Sequence, residues 1–186
     1  MENLYWRYID IAIKAMDEIS EEQAIEAVRT IIKYIGDDPQ RTEIVDTPKR
    51  VIDLYKNFFK GYGQSLENNT IANLSNSDDM ITMKDIKFIS FCEHHMMPII
   101  GKIDISYIPN TRIIGIGKIV SIIDSFTKRL QIQERFTEQI AKALEDVLDP
   151  KGIAVHVSAE HYCLRIKRSD QDISKLYTSC ALGVMK

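Results

Sequence analysis

The sequence predicts an α+β fold in which an antiparallel sheet carries helices on one face and follows an N-terminal helical part. Two observations support this fold class. Apolar residues recur at helical spacing before residue 61, whereas β-branched segments become common from Met80 onward. The later segments follow the order two strands, two helices, two strands, which is typical of a sheet covered on one side.

Two helices are predicted in the N-terminal part. The first begins with a capping-box pattern at Ser20 and Gln23 and ends before Gly36. Its apolar residues at helical spacing are Ala24, Val28, Ile31 and Ile35. The second begins at Thr47, the predicted N-cap, with Pro48 as its first helical residue. Its apolar stripe consists of Val51, Ile52, Tyr55 and Phe59.

A connecting segment separates these helices from the rest of the chain. Residues 61–79 are rich in Gly, Asn and Ser, a composition typical of loops. We therefore predict an N-terminal helical part with its connecting loop at residues 1–79 and a second domain at residues 80–186.

The second domain is predicted from a change of period along the chain. In one segment Ile103, Ile105 and Tyr107 alternate with polar residues, which indicates a strand with one buried face. Later segments repeat their apolar residues at helical spacing. The predicted strands are residues 80–91, 99–108, 152–166 and 176–185, and the predicted helices are residues 119–126 and 132–147.

Composition narrows the function classes. A net charge of -3 and a pI near 5.8 give no overall basic surface for nucleic acid. The first residues lack the basic region and cleavage site of a signal peptide, and no apolar run reaches the roughly 18 residues that span a bilayer. We expect a cytoplasmic protein without nucleic-acid or membrane partners. Its 3 cysteines are then expected to be thiols or metal ligands.

One stretch contains several potential metal ligands. Cys92, His94 and His95 lie close together, and Cys92 and His95 have C-x-x-H spacing. His161 and Cys163 follow near the other end of the domain, and residues two apart on a strand share a face. A catalytic zinc takes three protein ligands and keeps its fourth position open. The set therefore offers a third ligand and spare histidines for such a site.

The alternative is that these residues are structural. Taken singly, a cysteine is more often a small buried hydrophobe and a histidine a satisfied core group. For the whole set, burying a histidine pair without partners is unfavourable, and this argues for a site. His156 and Cys180 have no such neighbours, so we expect both to be structural.

Gln133 and Glu134 open the longer predicted helix. An acid is favoured at a helix N-terminus by the macrodipole. This structural role is enough to explain Glu134 when that residue is taken by itself. The functional alternative is a carboxylate that accepts hydrogen bonds from the adjacent N–H groups of a guanine edge.

Four ordered motifs resemble GTP cyclohydrolase I. They are T-P-x-R, C-E-H-H followed by G-K and Y-I-P, Q-x-Q-E-R-x-T, and H-x-C, and they extend over nearly the whole chain. The resemblance implies the tunnelling fold for the catalytic domain at residues 80–186. It also implies a zinc cofactor, a role in pterin and folate biosynthesis, and a homo-oligomer built as a decamer of two pentamers.

The resemblance also implies roles for individual residues. The family's zinc ligands correspond to Cys92, His95 and Cys163, its proton-transfer histidines to His94 and His161, and its guanine-holding pair to Gln133 and Glu134. The implied reaction is attack of zinc-activated water at C8 of GTP, loss of formate and closure to 7,8-dihydroneopterin triphosphate.

The chain departs from the family where triphosphate binds. Arg50 and Lys118 match basic residues of the family, and Lys167 with Arg168 stands in place of its R-G pair. Asp53 and Ser121, however, replace basic residues, and Gly117 replaces a serine. Loss of a buried phosphate partner costs about 2–5 kcal/mol. We therefore expect weak GTP binding unless Arg168 or a neighbouring subunit compensates.

Two alternatives to a GTP cyclohydrolase I follow. One is the same ring opening on a purine without triphosphate, such as GMP, guanosine, guanine or an 8-oxo purine. The other is a non-catalytic assembly protein that binds zinc and a purine. The presence of His94 and His161 argues against the second alternative, because binding alone requires neither.

Overall fold

A computed structural model describes residues 19–63, 71–73, 79–167 and 175–186 of the chain. The chain divides into two compact units, with the boundary between Tyr55 and Lys56. The division after residue 79 stays a prediction. Among the helices within these ranges, none combines the length and apolar character that a membrane crossing requires.

The first helix, α1 (Glu21–Tyr34), has the predicted N-terminus. The Ser20 side chain accepts a hydrogen bond from the Gln23 backbone N–H, and the Gln23 side chain accepts one from the Ser20 N–H, which completes the capping box. Gly36 follows the helix at a φ of +94°, a conformation that favours glycine.

The predicted helix is confirmed, but its apolar stripe only partly coincides with the side that is buried in this chain. Ile25 and Ile32 are the buried residues of this helix, whereas Ile31 is 58% exposed and Ile35 is 70% exposed. The apolar positions of α1 extend over more than one face, so spacing alone did not identify the side that packs within this chain.

The second helix, α2 (Thr47–Phe58), begins where the sequence predicts, and its apolar stripe is half-buried. A short 3-10 turn, Lys60–Gly63, follows it. The Gly61 N–H donates to the Lys128 carbonyl oxygen at 3.0 Å. A Cβ at position 61 would lie 2.6 Å from the same oxygen, so this close approach of two backbones requires glycine.

The remaining elements form the sheet unit. They are β1 (Ile71–Asn73), β2 (Ile81–Cys92), β3 (Pro98–Ile108), β4 (Arg112–Ile114), α3 (Ile116–Thr127), β5 (Leu130–Gln131), α4 (Gln133–Leu148), β6 (Gly152–His161), α5 (Tyr162–Lys167) and β7 (Leu176–Gly183). The strands β1 and β4 pair with each other as a separate two-stranded sheet.

The main sheet has the order β5-β2-β3-β6-β7 and confirms the predicted antiparallel topology, with one parallel pair between β2 and β5. Its buried face includes Ile103, Ile105 and Tyr107, as the alternation predicts. The helices α3 and α4 pack against the sheet, and the Phe88 ring on β2 meets the Phe136 ring on α4 at 5.3 Å between centroids.

The strand predicted at residues 152–166 is too long. In the structure β6 ends at His161, and residues 162–167 form α5. The β-branched residues of this segment are concentrated before Ser158, whereas Leu164, Arg165 and Lys167 are good helix formers. The predicted strand was continued past this change in composition, into residues that form a helix.

Candidate functional site

Three potential ligands converge at the end of β2. Each of three residues offers one donor atom, and these three atoms all lie within 4.8 Å of one another: Cys92, His95 and Cys163. The Cys92 Sγ is 3.8 Å from the His95 Nδ1. Tetrahedral zinc with Zn–S near 2.3 Å and Zn–N near 2.0–2.1 Å separates such atoms by about 3.6 Å. The donor set therefore fits zinc, and three protein ligands leave a fourth position open.

The turn between β2 and β3 presents the first two donors. Cys92 is the last residue of β2 and is only 4% exposed. Its N–H donates to the Met97 carbonyl oxygen at 2.9 Å, and the Met96 N–H donates to the Cys92 carbonyl oxygen at 2.9 Å. Met96 has a φ of +52°, in the left-handed region. This tight reversal places His95 on the exposed side of the turn.

The third donor comes from the opposite end of the domain. Strand pairing sets Ile99 opposite His161, so the residues after β6 lie next to the β2–β3 turn. Cys163 lies in α5 and not on the strand, so the prediction that it shares a strand face with His161 is wrong. Burial raises the pKa of the Cys163 thiol, and the nearby Cys92 sulfur adds to the rise. Metal binding there would displace a proton.

His161 is held by Gln133, the first residue of α4. The His161 Nε2 lies 2.8 Å from the Gln133 Oε1. The Gln133 side-chain nitrogen donates to the Leu176 carbonyl oxygen at 3.1 Å and contacts the Thr178 Oγ1 at 3.2 Å. A carbonyl oxygen can only accept, so this contact fixes which end of the amide faces the histidine. His161 must therefore donate from Nε2, and its neutral ring carries the lone pair on Nδ1.

The surroundings of His161 favour a neutral ring. Burial lowers the pKa of His161 below its ordinary value, and the nearby Glu134 carboxylate acts in the opposite direction. Glu134 is exposed, directly after the fully buried Gln133. His94 is exposed on the turn between β2 and β3, with its ring centroid 6.3 Å from that of His95. The predicted proton-transfer and guanine-binding residues thus flank the three donors.

The phosphate-binding residues predicted in the second unit are partly described. Lys118 is half-buried in the first turn of α3, and Ser121 is exposed one turn later. Lys167 is the last residue of α5, and its side chain lies outside the described part of the structure. The predicted contribution of Arg168 also lies outside the described residues.

The first unit contains the predicted phosphate ligand Arg50, on α2. Its guanidinium lies 3.3 Å from the Asp46 carboxylate, and both side chains are exposed. On the same helix, Asp53 accepts from Lys49 at 3.1 Å. Asp53, for which the resemblance predicts a basic residue in the family, thus pairs with a lysine one turn before it.

Sequence reasoning missed the partners of Gln133 on β7. Thr178 contacts the Gln133 amide and also lies 2.8 Å from the Thr137 Oγ1. Thr178 gives only a weak signal in the sequence, because threonine is common on strands. The contact becomes visible only when α4 and β7 are placed together.

Comparisons with known proteins agree with these features. The family model for GTP cyclohydrolase I matches residues 24–186. The chain is 45% identical over 172 residues to GTP cyclohydrolase 1 of Rickettsia felis, covering 91% of this chain and 90% of the relative. It is 40% identical over 184 residues to GTP cyclohydrolase 1 of Gloeobacter violaceus, covering 97% and 86%.

Among solved structures, the apo archaeosine synthase QueF-Like matches 58% of this chain and 97% of its own, at 15% identity and a TM-score of 0.49. The family model and the relatives extend over nearly the whole chain, including the segments that supply the metal donors, Gln133 and His161. The chain therefore belongs to the GTP cyclohydrolase I family, a family of hydrolases, and has the α+β tunnelling fold.

Proposed function

We propose that this protein is a zinc-dependent hydrolase that opens the imidazole ring of GTP at C8 and yields formate and 7,8-dihydroneopterin triphosphate. The observation that carries the proposal is the convergence of Cys92, His95 and Cys163 within 4.8 Å. The names of the relatives, GTP cyclohydrolase 1, support GTP as the substrate.

The metal site is assigned to the same three residues. Zinc bound by two thiolates and one imidazole supplies Lewis acidity and lowers the pKa of water to about 7. The protein contributes the orientation of the donors: β2 and its turn position Cys92 and His95, and α5 positions Cys163.

His161 is assigned the proton transfer to and from the purine imidazole. Its Nε2 is engaged by Gln133, so Nδ1 is the ring nitrogen left for the substrate. Burial lowers the pKa of His161, which makes its protonated form a stronger acid. His94, exposed on the metal-binding turn, is assigned to the later opening of the ribose.

Glu134 is assigned the guanine edge. A carboxylate can accept from both adjacent N–H donors of guanine, and a site built on such a pair rejects bases that lack them. Gln133 belongs to the same binding element, but its side-chain nitrogen is engaged by β7. We assign Gln133 the task of holding His161 beside the base.

The triphosphate is assigned to the basic residues Arg50, Lys118, Lys167 and Arg168. A second candidate function, the same ring opening on a purine without triphosphate, is favoured by Asp53 and Ser121. Asp53 brings an exposed carboxylate to a position where the family has a cation, and Ser121 brings no charge.

We further propose that the protein acts as a homo-oligomer, as the family resemblance implies. Exposed apolar residues on and just after α1 support a partner surface: Ile31 is 58%, Tyr34 89% and Ile35 70% exposed. Sedimentation of the purified protein measures the subunit number, and a monomer at micromolar concentration would contradict the assignment.

A substrate assay tests the proposed reaction. Zinc-loaded protein is incubated with GTP, GMP, guanosine and 8-oxo purines, and formate release and absorbance are followed. The proposal expects formate from GTP in the wild type and in Cys180→Ala, and none in Cys163→Ala. Formate from GMP or guanosine but not from GTP would select the second candidate. Zinc and purine binding without any formate would indicate a non-catalytic assembly protein.

A further inference from the structure

The proposed metal-binding turn, residues 92–97, is attached to the segment that begins α4. The end of β2 pairs in parallel with β5, with Cys92 opposite Gln131. One residue later, the Glu93 N–H donates to the Gln131 carbonyl oxygen at 3.1 Å. The Glu93 carboxylate in turn accepts from the Arg135 Nη2. Glu93 is therefore attached to this segment through both its backbone and its side chain.

The position of Arg135 is unusual for a helix. It is the third residue of α4, in the first turn, where the macrodipole favours acids and disfavours cations. The N-cap residue Ile132 supplies no side-chain hydrogen bond that would offset this. Helix stability therefore does not explain an arginine here, whereas the contact with Glu93 does.

The pair is partly shielded from solvent. The side chains of Arg135 and Glu93 are 34% and 31% exposed. On the same helix, the pair Lys142 and Glu138 is 53% and 55% exposed. Exposed pairs of that kind contribute little, whereas partly buried charges interact more strongly because water screens them less.

We propose that Glu93 and Arg135 are positioning residues that attach the metal-binding turn to the helix carrying Glu134. Glu93 lies between the donors Cys92 and His95, so its anchorage restricts the orientation of both. Arg135 follows Glu134 directly, so the same contact sets the metal donors relative to the guanine carboxylate. The inference rests on the proposed function for the metal and the base.

Metal affinity is the first test. Zinc dissociation constants are measured by competition with a chromophoric chelator for the wild type, Glu93→Gln, Arg135→Met and the double variant. Contacts that orient ligands typically change metal affinity by about 10–100-fold. We expect each single variant to weaken zinc binding about tenfold and the double variant to be no weaker than the worse single. The matched control is Glu138→Gln, which removes an acid from the same helix.

Hydrogen exchange of the metal-free protein is the second test. Amides in residues 92–97 should exchange faster in Glu93→Gln and Arg135→Met, while the buried strand β6 keeps wild-type protection. Arg135→Lys, which keeps the charge but not the guanidinium geometry, should give an intermediate result. At saturating zinc the metal site is refilled, so the remaining defect is in the position of Glu134, and KM for GTP should rise more than kcat falls.

Specific outcomes would overturn the inference. Unchanged zinc affinity and unchanged exchange in both single variants would show that the pair has no positioning role. Additive losses in the double variant would show that the two residues act separately. Faster exchange throughout the sheet would indicate a general loss of stability instead. If the wild type itself binds no zinc, the proposed function fails, and the exchange of residues 92–97 still decides on the attachment.

Discussion

Replacing Cys163 with alanine should weaken zinc binding by two to three orders of magnitude. Zinc bound by four protein ligands gains about 10–16 kcal/mol, so one ligand accounts for about 2.5–4 kcal/mol. At roughly 1.4 kcal/mol per tenfold, this corresponds to about 10²–10³ in the dissociation constant. In the variant, Cys92 and His95 remain as donors 3.8 Å apart, without the third that completes the set.

The raised pKa of Cys163 adds a pH dependence to this expectation. An ordinary thiol is already protonated at neutral pH and burial raises the pKa of Cys163 further, so zinc must displace its proton. Wild-type affinity should therefore rise with pH through the neutral range and level off above the pKa of the thiol. The Cys163→Ala protein should show a shallower rise, because one displaced proton is lost with the side chain.

Metal analysis after dialysis, followed by chelator competition at several pH values, measures both effects. Cys180→Ala is the matched control, because Cys180 is a half-buried cysteine on β7 that is outside the donor set. The reasoning is refuted if Cys163→Ala keeps full zinc occupancy and wild-type affinity. It is also refuted if Cys180→Ala loses zinc to the same extent.

Three further predictions concern the base, the phosphates and the fold. Glu134→Ala should lower kcat/KM for GTP about 5–150-fold and keep zinc, because stranded guanine donors cost about 1–3 kcal/mol; unchanged turnover would leave Glu134 as an acid of the first helical turn only. Asp53→Lys with Ser121→Arg should raise kcat/KM for GTP at least about tenfold, since one charged hydrogen bond contributes about 1.5–3 kcal/mol. A micromolar wild-type KM for GTP without turnover of GMP would contradict the predicted weak binding of the triphosphate. Gly61→Ala should lower Tm by roughly 2–10 °C, because its Cβ would lie 2.6 and 2.7 Å from backbone oxygens. Gly63→Ala is the control, because a Cβ there meets nothing within 4 Å. Equal Tm values for the two variants in calorimetry would exclude this clash.

The longer elements of the fold could be predicted because each repeats its period several times. The alternation along β3 and the helical spacing in α4 each extend over more than two repeats. The strands β1, β4 and β5 have 3, 3 and 2 residues, too few to show any period. They form because tertiary packing brings two segments together, as when β5 pairs with the end of β2.

The convergence of the three candidate metal donors could be predicted from the sequence because residue type restricts the possible donors strongly. Among 3 cysteines and 4 histidines, the C-x-x-H spacing selects two donors and the H-x-C spacing offers the third. The role of Gln133 could not be predicted in the same way. Its amide contacts residues on β6 and β7, and the orientation that fixes the His161 tautomer depends on the Leu176 carbonyl oxygen, a backbone atom with no sequence signature.

The first turn of α4 shows why these contacts occur together. Successive helical residues point about 100° apart, so three in a row reach three different directions. Gln133 is fully buried and contacts His161, Glu134 is exposed, and Arg135 is half-buried and contacts Glu93. One helix start can thus orient His161, present the carboxylate proposed to bind the base, and support the turn between β2 and β3. The uninterrupted Q-E-R order is therefore as important as the three residue types, because a residue inserted within it would rotate the later side chains away from their partners.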